Sequence, residues 1–292
     1  MSKRRGSLSS LKIILEMIKF EHTVFALPFA FLGMILAAEG WPAWSQVFWI
    51  VIAMIGARSA AMAFNRLADR HLDAENPRTS DRALPAGMLS PAGVVVFVLG
   101  SLALLVLAAW RLDPLALRLS PLAIGVILLY SYAKRFTLLC HLILGLGISG
   151  APLGAWIAVR GEVSATPVVL AGAVLFWVAG FDVLYGLQDL DFDRRRGLHS
   201  IPARFGVVGA LRLSALLHLA MLVLLGVLPR VYPGELGLGY WLGFSGCVAL
   251  TLFQHWAVRP NDLSRLNAAF FQANGALAVW LFLTTTIGIL VQ

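Results

Sequence analysis

Charged residues and cysteines are both scarce in this sequence. Only 13% of its 292 residues are Asp, Glu, Lys or Arg, about half the share of an ordinary soluble domain, and 59% are hydrophobic. Such a composition excludes a disordered chain, and the apolar surface is too large for one soluble core. Two cysteines, Cys140 and Cys247, are too few for a disulfide scaffold or a metal–thiolate site.

Long apolar runs take the place of the missing charges. A transmembrane helix needs about 20 mostly apolar residues. Nine segments qualify: 23–39, 46–64, 92–110, 115–132, 138–159, 166–187, 208–228, 236–256 and 268–291. The sequence therefore predicts an all-α polytopic membrane protein with nine transmembrane helices in one domain, 1–292. Its basic arm, 1–22, includes a predicted amphipathic surface helix over 9–20.

The basic residues are divided unevenly between the two predicted sides of the membrane. Eighteen of the 23 Lys and Arg fall on the side of the N-terminus when Arg212, near the start of the seventh run, is counted with the loop before it. Four fall on the other side, and Arg58 lies inside a run. This asymmetry predicts a cytoplasmic N-terminus. It also accounts for the net charge of +8 without a nucleic-acid partner.

The carboxylates concentrate in two short stretches, one after the second run and one in or after the sixth. Eight of the 15 Asp and Glu lie there: Asp69, Asp73, Glu75, Asp81, Asp182, Asp189, Asp191 and Asp193. Four runs separate the stretches, and because four is even both stretches face the same side. We therefore expect two four-helix halves around a central cavity, each half contributing one acidic cluster, with the ninth helix appended.

Within each stretch, spacings of three or four residues align the polar side chains on one helix face. The first stripe is Asn65, Asp69 and Asp73, and the second is Asp182, Tyr185, Asp189 and Asp193. Such oxygen ligands favour Mg²⁺, which uses one or two carboxylates and takes phosphate oxygens for the rest. Facing stripes predict a diphosphate held through Mg²⁺, with Arg66, Arg70, Arg78, Arg82, Lys134 and Arg194 near the remaining phosphate charge. The alternative is a set of solvated loop carboxylates paired with neighbouring arginines.

These motifs carry a family resemblance. NRLADRHLD with ENPRTSDRALPAG, and YGLQDLDFDRRRGLHSIPARFG, resemble the two signature regions of the UbiA superfamily of intramembrane aromatic prenyltransferases, and YSYAKRFT adds to the match. AMAFNR, FDVLYGLQD and GLHSIP resemble its 4-hydroxybenzoate polyprenyltransferase branch, and more narrowly a bacterial subgroup associated with menaquinone made through futalosine. His199 stands in GLHSIP where many benzoate-type relatives carry Lys, which favours a naphthoate acceptor.

The resemblance implies Mg²⁺-dependent transfer of a polyprenyl group from its diphosphate to an aromatic hydroxy acid. A hydroxynaphthoate is preferred, with 4-hydroxybenzoate as the alternative, and the enzyme would lie in a bacterial inner membrane with its active site facing the cytoplasm. Asn65, Asp69, Asp73, Asp189 and Asp193 match the metal–diphosphate ligands, Arg70 and Lys134 match basic positions at the diphosphate, and Asp182 and Tyr185 match positions near the reacting centre. Asp182, Tyr185 and Arg70 are thus the predicted catalytic residues.

The acceptor's carboxylate needs a cationic partner, for which Arg58 and Arg135 are candidates. Arg58 lies inside an apolar run, where an arginine needs a partner or a function, and it precedes Asn65 by seven residues on the same helix face. An internal ion pair or a hydrogen bond to a backbone carbonyl would explain it equally well. Arg66 and Arg78 complete the predicted substrate-binding set.

Two other functions remain open from the residues alone. A cation transporter would use the carboxylates as a relay, but it favours acids at mid-span, whereas most of these acids lie at span ends. A phospholipid-type phosphotransferase also uses Asp pairs and Mg²⁺. Its two acidic motifs lie close together along the chain, while about 110 residues separate the two clusters here.

Overall fold

The computed structural model describes residues 13–14, 16–17 and 23–291, and every regular segment in this part of the chain is helical. The surface helix predicted over 9–20 lies largely outside the described residues. The longer helices are α1 (Thr23–Ala38), α2 (Trp44–Ala68), α4 (Pro91–Leu112), α5 (Pro114–Ala133), α6 (Cys140–Arg160), α7 (Ala165–Tyr185), α9 (Ile201–Val231), α10 (Leu238–Ala257) and α12 (Asn274–Leu290). The short ones are α3 (Arg70–Glu75), α8 (Leu190–Arg196) and the single turn α11 (Leu266–Ala268).

Two short segments with non-α hydrogen bonding continue the helices. A 3₁₀ turn, Gly186–Asp189, joins α7 to α8, and a π segment, Ala269–Ala273, leads into α12. Among the described residues, seven segments are long and apolar enough to cross a membrane: α2, α4, α5, α6, α9, Ala165–Arg196 and Phe271–Leu290. The first and eighth predicted runs correspond to α1, which is shorter, and to α10, which is not among the seven.

Local sequence explains where several helices begin. Ser90 and Asp113 each precede a proline that occupies the first helical position, where its missing N–H costs nothing. The Ser90 hydroxyl accepts the N–H of Gly93 at 3.1 Å, and the Asp113 carboxylate accepts that of Leu115 at 2.7 Å. Each side chain satisfies one helix-end donor that has no partner within the helix. These caps fix the starts of α4 and α5.

Helix α7 is the central element of the core and packs against α6 on one side and α9 on the other. Helices α2, α4 and α5 pack against one another, as expected for the first half. The predicted four-helix half is wrong in one member, because α1 packs mainly against α6 and α12 and barely touches α2. Gly33 permits this approach, since a Cβ there would lie 2.5 Å from the carbonyl oxygen of Pro152 in α6.

Close packing of α6 against α7 depends on Gly145. A Cβ at this position would lie 2.4 Å from the backbone oxygen of Leu175, whereas a Cβ at Gly150 on the same helix meets no atom within 4 Å. We therefore expect Gly145→Ala to destabilise the protein by about 1–3 kcal/mol through overpacking, while the matched Gly150→Ala leaves it unchanged. Thermal unfolding in detergent measures both, and equal midpoints for the two variants would contradict this packing.

Candidate active site

The two acidic clusters meet at one cavity. Its empty volume is about 900 Å³, including its open mouth, and it lies between the ends of α2, α5 and α7 and the short helices α3 and α8. Ten of the sequence-predicted site residues line it: Asn65, Arg66, Asp69, Asp73, Arg78, Lys134, Asp182, Tyr185, Asp189 and Asp193. The prediction that both clusters share a side of the molecule is confirmed by this convergence.

Each cluster is built around a break in a helix. Asp69 separates α2 from α3 with φ −92° and ψ 6°, and Asp189 ends the 3₁₀ turn before α8 with φ −104° and ψ 7°. Both aspartates thus adopt the sparsely populated region between helix and strand in which many active-site residues lie. The breaks change the direction of the chain, so the stripes expected from continuous helices bend and wrap around the cavity.

In the first cluster, Asp69 and Asp73 both have polar or cationic partners. Asp69 is buried and accepts hydrogen bonds from Asn65 Nδ2 at 3.1 Å and from Arg135 at 3.0 Å. Asp73, also buried, accepts a hydrogen bond from Arg82 at 2.7 Å through Oδ1. These contacts hold each carboxylate in place beside a guanidinium group.

Residues after the first cluster reach across the cavity to the second. Asn76 Nδ2 donates to Asp189 Oδ1 at 2.9 Å, and the Arg78 guanidinium donates to both Asp189 oxygens at 2.9 and 2.5 Å. Arg78 also donates to the Tyr185 hydroxyl at 3.3 Å. Burial alone lowers the pKa of Arg78, but the hydrogen bonds and charge of Asp189 outweigh it, so this pKa is raised and the side chain stays cationic. The two halves of the site are therefore joined by ionic contacts.

Two buried carboxylate oxygens at the cavity lack a hydrogen-bond partner among the described residues. One is Asp73 Oδ2 in the first cluster, which lies 3.8 Å from the guanidinium of Arg66. The other is Asp193 Oδ1 in the second cluster, while Oδ2 of the same group accepts the Ser200 hydroxyl at 2.8 Å. Burying a carboxylate oxygen without a partner costs free energy unless a cation binds it. Each cluster therefore presents an oxygen suited to a metal ion.

The described residues hold no group of three or more His, Cys, Asp and Glu side chains placed to bind a metal by themselves. Mg²⁺ does not need such a group, because it is usually bound by one or two carboxylates together with water and substrate phosphates. The cavity lining carries five aspartates against the cations Arg66, Arg78, Arg82 and Lys134. A diphosphate would add further negative charge, which a divalent cation would offset, and the residues fit Mg²⁺ bound together with a diphosphate.

Three predicted site residues lie outside the cavity lining. Arg70 donates to the Leu67 carbonyl at 3.0 Å, and Arg135 donates to the Ala68 carbonyl at 2.7 Å. Both guanidinium groups thus donate hydrogen bonds to carbonyls that the break after α2 leaves without a donor from the helix itself. Arg58 lies within α2, where its Nε is buried with no hydrogen-bond partner among the described residues.

Sequence reasoning missed four polar residues at the cavity: Asn76, Ser131, His141 and Ser200. Ser200 could have been found, because a serine two residues before a proline is typical of a helix N-cap, and its hydroxyl accepts the N–H of Ala203 at 3.3 Å. His141 stands in the first turn of an apolar run, which is an unusual place for an imidazole. Asn76 gives no signal of its own, since its partner lies 113 residues away.

The comparisons with known proteins agree on one family. A family model described as "UbiA prenyltransferase family" matches residues 26–290. The chain is 30% identical over 260 residues to a "4-hydroxybenzoate octaprenyltransferase" of Vibrio atlanticus (strain LGP32), covering 86% of this chain and 89% of the relative. It is 33% identical over 250 residues to a protein of the same name from Vibrio campbellii, with 83% and 84% covered.

Solved structures show the same fold. An apo structure of a UbiA homolog from Aeropyrum pernix K1 superposes with a TM-score of 0.78 at 32% identity, covering 93% of this chain and 98% of that one. A UbiA homolog from Archaeoglobus fulgidus, solved bound to DMAPP and Mg²⁺, superposes with a TM-score of 0.70 at 18% identity and covers 94% and 99% of the two chains.

Proposed function

Because this chain belongs to the UbiA prenyltransferase family, we propose that it transfers a polyprenyl group from a polyprenyl diphosphate to an aromatic hydroxy acid in quinone biosynthesis. The family-level resemblance of its motifs is confirmed, and with it the enzyme class, which sets the transporter alternative aside. The narrower futalosine subgroup stays a prediction. One observation carries the proposal: both acidic clusters line a single cavity together with four cationic side chains.

The cationic residues of the cavity provide for the diphosphate. Arg78 and Arg82 are held at the carboxylates, close to where a diphosphate would lie, and each can exchange its carboxylate for phosphate oxygens. Lys134 lines the cavity and forms no ion pair within 4.0 Å in the described part of the chain. We assign these three side chains to the leaving diphosphate, where their charge stabilises the group as its C–O bond breaks.

Asn65, Asp69, Asp73, Asp189 and Asp193 are the proposed ligands of Mg²⁺ and of its diphosphate complex. Mg²⁺ bound there supplies Lewis-acid stabilisation of the departing diphosphate. Prenyl transfer also requires a carbocation to survive until the ring attacks it. Tyr130 and Tyr185 line the cavity, and aromatic rings stabilise a cation without reacting as strong nucleophiles. Asp182 is the carboxylate we assign to the ring proton that leaves after attack.

The acceptor we propose is 4-hydroxybenzoate. The curated relatives at 30% and 33% identity carry its name, which supports it over the hydroxynaphthoate favoured from the sequence motifs. The hydroxynaphthoate remains a second candidate because His199 occupies the position where many benzoate-type relatives have Lys. Arg58 is the proposed partner of the acceptor carboxylate, since its buried Nε has no partner among the described residues.

The membrane arrangement completes the proposal. We propose nine membrane helices, with α1 and α10 added to the seven segments that meet the length and hydropathy expected of a span. The excess of Lys and Arg on one side supports an N-terminus and a cavity mouth at the cytoplasmic face of a bacterial inner membrane. In that position water-soluble acceptors reach the cavity from the cytoplasm while the polyprenyl chain stays in lipid.

A prenyl transfer assay with both acceptors side by side tests the substrate. We expect purified protein in lipid vesicles, with Mg²⁺ and a labelled polyprenyl diphosphate, to prenylate 4-hydroxybenzoate. Product with a dihydroxynaphthoate alone would assign the acceptor to the other candidate. Product with neither acceptor, from folded protein that still binds the labelled diphosphate, would contradict the proposed acceptor class. Reactions without an acceptor control for hydrolysis of the diphosphate.

A further inference from the structure

His141 is a buried histidine that lines the cavity and has no role in the chemistry proposed above. His141 lies in the first turn of α6 and is only 4% exposed. Its Nδ1 lies 2.7 Å from Asp182 Oδ2, and its Nε2 lies 3.3 Å from the backbone nitrogen of Ile201, the first residue of α9. The imidazole therefore joins three helices at the point where Asp182 meets the cavity.

The two contacts fix which ring nitrogen carries the proton. The Ile201 backbone N–H is a donor only, and at the start of α9 it has no carbonyl partner within its own helix. Because it points at Nε2, that nitrogen is the acceptor, and the single proton of the neutral ring is on Nδ1. Nδ1–H then donates to Asp182 Oδ2. The N-terminus of α9 thus selects the tautomer that Asp182 requires.

The hydrogen bond also divides the two oxygens of Asp182 between different surroundings. Oδ2 faces His141, while the side chain as a whole is 19% exposed and lines the cavity. Oδ1 is the oxygen left for the cavity. A carboxylate held by one oxygen in this way is fixed in direction.

We propose that His141 is a positioning residue that aims Asp182 Oδ1 at the proton of the acceptor ring. The inference rests on the proposed function. The C1–O bond breaks and its electron pair leaves with the diphosphate, and a π electron pair of the ring then forms the bond between a ring carbon and the prenyl C1. The ring proton then moves to Asp182 Oδ1, its C–H electrons restore aromaticity, and His141 keeps its Nδ1 proton throughout. No other reactant takes part.

The ring carbon that is prenylated gives a direct readout of this step. With an acceptor deuterated at that carbon, a misaimed base makes proton removal more nearly rate-limiting, so the isotope effect on kcat rises. We expect His141→Leu to lower kcat by roughly 10²-fold, the typical cost of losing a positioned acid or base. The KM for the polyprenyl diphosphate should stay within about 3-fold, because the side chains assigned to the diphosphate are untouched.

His141→Gln is the matched rescue, because a glutamine amide keeps one donor for Asp182 and one acceptor for Ile201. We expect the kcat of this variant to be within about 5-fold of wild type and its isotope effect to be unchanged, because a positioning residue can be replaced by one that keeps the same two hydrogen bonds. A merely structural role would lower the thermal midpoint and kcat together without raising the isotope effect.

Three results would overturn the inference: wild-type kcat and isotope effect in the leucine variant, a lowered kcat with no change in isotope effect, or a glutamine variant as impaired as leucine. If the leucine variant does not fold, Asp182→Asn replaces it, and wild-type kinetics in that variant would be equally contrary. Wild-type protein in the same vesicles separates the two proposals. Its failure to transfer any prenyl group would remove the proposed function, and the inference would fall with it.

Discussion

Asp189→Ala should lower prenyl transfer by about 10³-fold or more, the scale of losing a central electrostatic contact in an active site. The Asp189 carboxylate accepts hydrogen bonds from Asn76 and Arg78 of the opposite cluster, so it joins the two halves of the cavity. Its loss removes a proposed Mg²⁺ ligand and also frees Arg78. Turnover with a labelled polyprenyl diphosphate in vesicles measures the effect.

Asp191→Ala is the matched control for this substitution. Asp191 belongs to the same short acidic stretch as Asp189 but is exposed and does not line the cavity. We expect this variant to keep wild-type turnover within about 2-fold, because isolated surface substitutions have small effects. Full activity in Asp189→Ala, or equal losses in both variants, would contradict the assignment of the cavity. Thermal unfolding of the two proteins excludes a loss of fold as the cause.

Removal of divalent cations should stop the reaction completely, and added Mg²⁺ should restore it. The cavity contains more aspartates than cations, and Asp73 Oδ2 and Asp193 Oδ1 are buried without hydrogen-bond partners among the described residues. A diphosphate would meet this negative charge unless divalent ions lie between them. The measurement is turnover in EDTA, followed by titration with Mg²⁺.

Calorimetry extends the same test beyond activity. Arg78 and Arg82 already form ion pairs with Asp189 and Asp73, so Mg²⁺ alone should bind the protein weakly. Mg²⁺ and inorganic diphosphate added together should bind more tightly than either does alone. Diphosphate alone should also bind weakly, since the cavity's own charges leave it without enough positive partners. Activity that is indifferent to EDTA, or tight diphosphate binding without a divalent ion, would show that the carboxylates serve another purpose.

Much of the site follows from short-range spacing, and the residues that do not follow show what spacing omits. Asn65, Asp69 and Asp73 were predictable because they repeat every four residues at the end of an apolar run. Arg70 and Arg135 have the right charge and position, but spacing does not reveal that each also donates to a backbone carbonyl at the end of α2, Arg70 to Leu67 and Arg135 to Ala68.

Long-range contacts set the second limit. His141 meets Asp182 across 41 residues and Ile201 across 60, so no local pattern links them. The position of α1 is similar, because its packing against α6 depends on Gly33 lying against the backbone of Pro152. The apolar runs predict that a helix exists, while the choice of neighbour depends on surface shape, which hydropathy does not encode.

The matching breaks at Asp69 and Asp189 repeat one local arrangement. Four long helices, α4 to α7, lie between them, so the chain returns to the same face before repeating the order of long helix, aspartate and short helix. Repeats separated by an even number of crossings are related by an axis along the membrane normal. The same local arrangement is thus used twice along one chain, and each use builds one side of the cavity.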